Sequence, residues 1–326
     1  MLVSILLAVR NEENNILACL KSLAAQDFPQ NEFEILIGDD GSGDKTRELV
    51  LAFIKDKPFC NLIDIQGYIG NARYKGNVIA QLAHHAKGTF FLITDADMSV
   101  PPSWIKGMIT GFQQKENIGI VTGFSLVKGK SLLSKLDGVD WILNVGLMNV
   151  ASVLGIPTNS MGNNMAVRQL AYWEMGGIEN RPYMVSEDMI MFRGITEKGW
   201  GFIHLHTDDI VGISKPPEGF YQLLQQRQRW LDGAIRLPLF LLMPLLLNGL
   251  FLFFLIFMLF INTKIALVCW FMRFVFHTTV IVYFSKFIKQ YWTWYYLPFY
   301  EIFITFFNPL VFIFYLLPIP IQWKEK

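Results

Sequence analysis

Over its first 125 or so residues the chain alternates short unbroken apolar runs with amphipathic stretches. The runs VSILLAV (3–9), FEILIGD (33–39), CNLIDI (60–65), TFFLITD (89–95) and IGIVTGF (118–124) have the length and side chains of strands, and the intervening stretches repeat at helical spacing. Strand and helix in alternation predict a mostly parallel sheet covered on both faces, because a strand buried on both sides reads as a continuous apolar run. In such sheets ligands bind beyond the carboxyl ends of the strands. The residues that follow each run therefore matter most.

The pattern changes at the end of a soluble domain expected to cover 1–236. From Leu237 to Ile261 the only plainly polar residue is Asn248, and at about 1.5 Å per residue a helix of that length crosses a hydrocarbon core of about 30 Å. Further apolar runs cover Ile265 to Phe284 and about Trp292 to Pro318. The membrane domain, 237–326, is thus expected to hold about three transmembrane or re-entrant segments, 238–262, 265–284 and 292–318, with kinks or breaks at Pro244, Pro298 and Pro309. Within these runs Arg273 and His277 lie one helical turn apart and Glu301 follows LPFY. Ionisable groups at membrane depth tend to face one another, so pairing of Arg273 with Glu301 stands beside snorkelling of Arg273 as an expectation. Two stretches read as interfacial helices: EGFYQLLQQRQRWLDGAIRL (218–237) and LDGVDWILNVGLMNVASVLGI (136–156).

Composition supports this division. The chain has 326 residues, 52% of them hydrophobic, which suffices for a large core and leaves apolar sequence for a bilayer. Net charge is +1, with 22 Lys and Arg against 25 Asp and Glu before Leu237 and 6 against 2 from there on. A mildly acidic soluble half argues against nucleic acid as a partner. Cys19, Cys60 and Cys269 are isolated, with neither metal spacing nor a disulfide framework, which fits a reducing compartment. LVSILLAVRNEE passes from a strand straight into a charged turn, so no secretory leader is expected and the soluble domain is expected in the cytoplasm, at a bacterial inner membrane. Arg227, Arg229 and Arg236 precede the first apolar run, and Lys286 and Lys289 separate the second from the third. With three spans both clusters face the cytoplasm and the tail Lys324 and Lys326 do not.

The chemistry lies at the strand ends. RNEE follows the first strand, DDGSGDKT the second and DADM the fourth. An acidic pair after a strand also caps helices, and Ser42 or Asp44 is placed to do so. Asp95 and Asp97, at i and i+2 with a turn between them, can point together at one hard cation, Mg2+ or Mn2+, whose shell a ligand's phosphate oxygens would complete. A lone D-x-D is common by chance, and its position at a strand end gives it weight. His204 and His206 share one face of a strand but have no evident third ligand, and read as packing; His84 and His85 read as surface residues.

Taken in order, SILLAVRNEE, ILIGDDGSGDKT, TFFLITDADM, GNNMAVRQLAYWEMGG, VSEDMIMFRGITEKGWG and QRQRW resemble the inverting, nucleotide-sugar-dependent glycosyltransferases of family 2, in the membrane-bound branch. The resemblance covers residues 3–230 and implies a GT-A fold, a Rossmann-like α/β catalytic domain with a mostly parallel sheet, followed by C-terminal transmembrane helices. It implies that Asp39 and Asp40 meet the base and ribose of the nucleotide, that Ala8, Arg10 and Glu12 wall the same pocket, and that Asp97, with Asp95 beside it, holds Mg2+ or Mn2+ at the diphosphate. In SEDM it implies Asp188 as the base that takes the acceptor's proton, with Glu187 beside it; the same pair would suit the first turn of a helix capped by Ser186. Gly162, Asn163 and Asn164 fall on the acceptor side, and Gln226, Arg227, Arg229 and Trp230 near the diphosphate and acceptor. Where many relatives carry a lysine or A-R-N after the third strand, this chain reads GNARYKGN (70–77), so Arg73 and Lys75 are left without a role.

A UDP-sugar donor is favoured, because an aspartate suits the imide N–H of uracil. The expected acceptor is a lipid or a lipid-linked sugar held in the membrane, since three short spans make a poor polymer channel. A processive polysaccharide synthase is the alternative suggested by Gln226, Arg229 and Trp230. A non-catalytic membrane scaffold that binds a nucleotide-sugar is the alternative of another class.

Overall fold

A computed structural model of the chain describes residues 1–319 apart from 159, 236 and 238, so the expectations resting on Arg236, Lys324 and Lys326 lie outside the described residues. The first half runs β1 (Val3–Val9), α1 (Ile16–Ala24), β2 (Phe33–Asp39), α2 (Thr46–Ile54), β3 (Cys60–Asp64), α3 (Tyr74–His85), β4 (Phe90–Asp95), β5 (Met98–Ser99), α4 (Trp104–Gln113), β6 (Ile118–Thr122), β7 (Ser125–Val127) and α5 (Leu132–Val153). It continues with β8 (Asn164–Arg168), α6 (Gln169–Glu174), α7 (Glu187–Glu197), β9 (Gly201–His204), β10 (Gly212–Ser214), α8 (Phe220–Ala234), α9 (Leu239–Gly249), α10 (Phe251–Ile261), α11 (Thr263–Phe287) and α12 (Leu297–Leu316). Two compact units result among the described residues: Met1–Leu126 with Gly155–Lys215, and Val127–Leu154 with 216–319. The second unit therefore takes in α5 and α8, which hydropathy alone assigns to the soluble domain.

In the first unit a seven-stranded sheet has the order β3-β2-β1-β4-β8-β6-β9. β1 is parallel to β2 and β4, β2 to β3, and β6 to β9, while β8 runs antiparallel to both β4 and β6. The unbroken apolar run of β1 has a direct cause. Ile5, Leu7 and Val9 face the cluster built with Ile16, Leu20, Trp104 and Met108, and Leu6 and Ala8 face the cluster built with Val78, Ile79, Tyr172 and Met191. Each such side chain contributes roughly 1.5–3 kcal/mol of burial, and polar alternation would forfeit it on one face. Because β8 is antiparallel, its amino end, not its carboxyl end, reaches the edge where β4 stops, with Asn164 opposite Thr94.

In the second unit α5 buries Asp137, Gly138, Val139, Asp140, Trp141 and Ile142 and leaves Val150 and Val153 exposed. Its polar side turns inward to Arg227 of α8, whose Nη2 donates to Asp137 Oδ1 at 2.5 Å and Asp140 Oδ2 at 2.8 Å. Tyr300 of α12 donates to Asp140 Oδ1 at 2.7 Å. Two helices, Thr263–Phe287 and Tyr291–Leu316, are long and apolar enough to cross a membrane. The segment expected over 238–262 as transmembrane or re-entrant is α9 and α10, bent by 58° after Gly249 with Pro244 inside α9, and it makes a third span only if the bent pair counts as one. No residue of α10 is buried, as suits a lipid-facing surface. The polar groups within these helices satisfy one another: Arg273 pairs with Glu301 at 2.8 Å, His277 Nδ1 lies 2.8 Å from the other Glu301 oxygen, and Asn248 accepts from Arg273 Nη2 at 2.8 Å.

Candidate active site

The loops that follow β1 and β2 are laced together by side chain to backbone hydrogen bonds. Gly43 N donates to Asn11 Oδ1 (2.9 Å), Glu13 N to Asp44 Oδ2 (3.0 Å), Lys45 N to Glu13 Oε2 (3.1 Å) and Glu12 N to Thr46 Oγ1 (2.7 Å). Asp44 Oδ1 accepts from Thr46 N at 2.9 Å, the capping role open to it from sequence. Gly41, at φ 72°, makes the left-handed turn that the loop requires. Arg10 reaches across to Asp40, donating to its carbonyl at 2.6 Å and its Oδ2 at 3.1 Å. Ala8, flanked by Gly38 on β2 and Asp95 on β4, supplies a small buried wall between these loops and the next group.

Asp39 departs from expectation. Its Oδ1 accepts from both the N–H and the hydroxyl of Ser42, at 3.0 and 2.6 Å, and its Oδ2 lies 3.6 Å from Arg47. With 3% of its side chain exposed, Asp39 is engaged in building its own loop, and Asp40 and Arg10, at 17% and 13%, are nearer the surface.

The second cluster centres on a residue that the sequence left unassigned. Lys75, in the first turn of α3 and buried, holds Asp95 Oδ1 at 2.5 Å and Glu187 Oε1 at 2.6 Å. Burial alone would lower its pKa, but Asp95 and Glu187 override that and hold the ammonium above the ordinary lysine value, so it stays charged. The signal available in sequence was GNARYKGN at the carboxyl end of β3, set aside because its match to the family pattern is loose.

Asp188 follows in the first turn of α7, where the helix dipole favours negative charge. Its Oδ2 accepts from Gly162 N at 3.0 Å and its Oδ1 from Met189 N at 2.8 Å. Burial first, then neighbouring Glu187, pushes its carboxyl up to about 7, against the opposing pull of Lys75 and the two backbone N–H groups. Ser186 precedes the helix but makes no capping bond through its side chain. Gly162 lies close against this pair: a Cβ there would stand 3.0 Å from Glu187 Oε1 and 3.1 Å from Asp188 Cβ, so a side chain would press on both acids.

Asn164, expected on the acceptor side, is fully buried and fully bonded. It accepts from Trp104 Nε1 at 2.8 Å and donates to the carbonyls of Phe124 at 2.8 Å and Ile210 at 2.9 Å. Its amide therefore ties together elements of the unit and has no group left for a sugar hydroxyl. Asn163 is also tied down, its carbonyl accepting from Thr94 Oγ1 at 2.9 Å and its Oδ1 from Ser125 at 3.1 Å. His204 is buried beside Phe192 and Phe202 with its pKa lowered to about 4, by burial first and His206 second, in keeping with packing.

Asp97 is half-buried one turn beyond Asp95, and both carboxylates act on the buried thiol of Cys19, whose pKa rises through burial first and then Asp97 and Asp95. Among the described residues no group of three or more His, Cys, Asp or Glu is gathered to hold a metal alone. Two hard carboxylates, one already neutralised by Lys75, suit an ion that shares its shell with a diphosphate and do not suit a resident metal bound by protein alone.

In the second unit α8 carries Gln226, Arg227, Arg229 and Trp230. Arg227, expected at the diphosphate, is instead buried against Asp137 and Asp140, with its guanidinium carbon 4.0 Å from the ring centroid of Trp230. Burial pushes Asp137 up to about 6 although Arg227 opposes it. Trp230 itself packs edge-on to Trp141 at 5.0 Å.

A family model described as Glycosyl transferase family 21 matches residues 2–326. Poly-beta-1,6-N-acetyl-D-glucosamine synthase of Staphylococcus epidermidis is 25% identical over 245 residues, covering 71% of this chain and 54% of that protein. The protein of the same name from Staphylococcus aureus is 25% identical over 239 residues, with the same coverage. The chain thus spans about half the length of the curated relatives it matches. Among solved structures, mannosyltransferase PcManGT from Pyrobaculum calidifontis, in complex with GDP-Man and Mn2+, aligns with a TM-score of 0.57 at 20% identity, over 72% of this chain and 63% of that one. Staphylococcus aureus TarS 1–349 in complex with UDP-GlcNAc aligns at 0.50 and 15%, over 96% and 92%. The expected GT-A fold stands, and the match to glycosyl transferase family 21 together with the synthase relatives supports the family 2-type glycosyltransferase that the motifs resembled.

Proposed function

The chain belongs to glycosyl transferase family 21, and we propose that this glycosyltransferase moves a sugar from a UDP-sugar to a hydroxyl of a membrane-held lipid or lipid-linked acceptor. The observation that carries the chemistry is Asp188: a carboxyl with a pKa of about 7, anchored by Gly162 N and beside a Glu187 that Lys75 already neutralises. Of the two adjacent acids, Glu187 is engaged by Lys75, and Asp188 is the one whose carboxyl burial pushes upward, as suits a group that must take a proton.

In this reading Asp188 takes the proton of the acceptor hydroxyl as its oxygen bonds to the anomeric carbon. The bond from that carbon to the diphosphate oxygen breaks with its electron pair leaving on phosphate, and direct displacement inverts configuration. Lys75 holds Glu187 and Asp95 in place through its two ion pairs. Arg10 and Asp40 line the nucleotide side. Asp97, with Asp95, would hold Mg2+ or Mn2+, which when bound supplies positive charge against the departing diphosphate. Gln226, Arg229 and Trp230 are assigned to the diphosphate and acceptor on their chemistry. The catalytic unit is placed on the cytoplasmic side of a membrane crossed by α11 and α12, where a soluble donor and a lipid-held acceptor can meet.

A second reading, processive synthesis of a polysaccharide, is favoured by the two curated relatives, named as synthases of a poly-N-acetylglucosamine. UDP-N-acetylglucosamine is accordingly the first donor to try. Membranes containing the protein, given labelled UDP- and GDP-sugars with Mg2+ or Mn2+, are expected to yield discrete lipid-soluble products. A high-molecular-weight product would replace single transfer with the synthase reading, and no turnover of any donor would remove both.

A further inference from the structure

We infer that Lys128, Lys130, Lys135 and Lys286, set with Trp292, Trp294 and Tyr295 around the turn between α11 and α12, form a docking face for the headgroups of anionic phospholipids. The inference goes beyond the transferase reading and is independent of it; it rests on α11 and α12 crossing a bilayer. Both are long and apolar enough to do so, α12 together with the short 3-10 helix Tyr291–Tyr296 that leads into it, so the turn joining them lies at one membrane face. Tyr291, Trp294 and Tyr295 stand exposed on that turn, Tyr295 by 82%. Rings with an apolar body and a polar tip favour the headgroup level.

The turn is fastened to the start of α5. Trp294 Nε1 donates to Ser285 Oγ and Trp292 Nε1 to Gln290 Oε1, both at 2.8 Å. Trp292 packs where α5 begins: a Cβ on Gly138 would stand 3.1 Å from Trp292 Cη2 and 3.1 Å from Val127 O. Lys135 lays its Nζ 4.5 Å from the centroid of the Trp292 ring. The stretch between Val127 and α5 folds back on the same helix, since a Cβ on Gly129 would collide with Ser134, and Ser131 Oγ accepts from Ser134 N at 3.1 Å. Lys128 and Lys130, on either side of Gly129, are exposed, and so is Lys286 in the last turn of α11. Two segments far apart in the chain thus bring lysines to the same corner of the second unit.

Charge there is one-sided. Among the described residues of this unit Asp137, Asp140, Asp232 and Glu301 are each no more than 9% exposed, and all but Asp232 are held in ion pairs by Arg227 or Arg273. The one exposed acid is Glu218, two residues beyond the Pro216 that packs against Gly129, so four lysines face a single carboxylate. The turn between α10 and α11, at 261–264, is different: Lys264 is its one charge and it carries neither Trp nor Tyr. An acidic protein or a nucleic acid would match the lysines but not the exposed rings, which continue along α11 in Tyr283 and Phe287. A bilayer with anionic headgroups matches both, and each lysine near such a surface adds an attraction that salt screens.

The test uses the full chain in phosphatidylcholine bilayers, with spin-labelled phosphatidylglycerol or spin-labelled phosphatidylcholine as the probe. The fraction of label slowed by the protein gives the relative association of the two lipids. Wild type is expected to favour phosphatidylglycerol about fivefold, the scale of one lysine at an anionic surface, and to lose the preference in high salt. The variant Lys128→Gln/Lys130→Gln/Lys135→Gln/Lys286→Gln should bring the ratio to about one. The same four positions changed to Arg should keep it, as should Lys21→Gln/Lys55→Gln/Lys106→Gln/Lys115→Gln, which makes the same charge change on the exposed surface of the first unit. Equal association of both lipids with wild type, or a preference kept by the first glutamine variant, overturns the docking face. A preference lost equally in the second glutamine variant also overturns it, since net charge alone would then act. If neither lipid is slowed by wild type, the helices do not meet the bilayer and the inference falls with them, whereas donor hydrolysis reads the transferase function separately.

Discussion

The Nζ of Lys75 lies 2.6 Å from Oε1 of Glu187, within a buried site. The same ammonium also holds Asp95, so one cation on α3 ties the acid group at the end of β4 to the acid group at the start of α7. The Lys75 charge also opposes the burial and the Glu187 charge that push the Asp188 carboxyl upward.

Lys75→Met is therefore expected to lower transfer by about 10- to 100-fold and to move the acid limb of the pH–rate profile upward by about one unit, since Lys75 is a group that lowers the Asp188 pKa. A pH series of kcat/KM on both proteins measures the shift. An unmoved limb would show that Lys75 has no hold on the base.

Asp188→Asn is expected to reduce transfer by about 10²- to 10⁴-fold while nucleotide binding persists. In the wild type, activity should fall about tenfold per pH unit below about 7, because the base must be unprotonated. The stability effect has the opposite sense. With its folded pKa raised from 3.8 to about 7, this carboxyl binds more protons folded than unfolded across that window, so its contribution to stability declines as pH rises toward 7.

For Asp97→Ala, UDP affinity measured by calorimetry should lose most of its gain from Mn2+, while affinity in EDTA stays near wild type. Removal of the ion from wild type should lower UDP affinity toward the variant's level. If Mn2+ tightens UDP equally in both proteins, Asp97 does not hold the ion.

Arg227 and Arg229 should part company. Arg227→Ala leaves Asp137 and Asp140 buried without their cation, a loss of about 3–5 kcal/mol that thermal unfolding in detergent would register as a sharp fall in midpoint. Arg229→Ala should keep the midpoint and lose most transfer. Equal destabilisation by the two changes would make the whole segment structural.

The strands at the site were legible because each is a buried apolar run that ends abruptly in charge. β1 and β2 begin and end at the residues the hydropathy pattern marks, and β3, β4 and β6 differ by one or two residues. The acid groups at those ends were legible for the same reason. Lys75 was not, because GNARYKGN matches the family pattern only loosely, and its partners Asp95 and Glu187 lie far along the chain until the fold brings α3 against them. Asn164 misled in the other direction: the resemblance puts it on the acceptor side, and only the packing of Trp104, Phe124 and Ile210 around it makes it a buried tie.

The amino-acid order by itself determined the α/β architecture, the apolar C-terminal helices and the carboxylates at the strand ends, since all three depend on local periodicity and on where a run stops. Tertiary structure decided which charges meet. It turned β8 antiparallel so that Gly162 reaches Asp188, drew Arg227 away to Asp137 and Asp140, and bent the first apolar run between Gly249 and Phe251. Those outcomes depend on partners far apart in the chain, and the cost of leaving a buried charge unpaired selects among them only once the fold has brought the partners together.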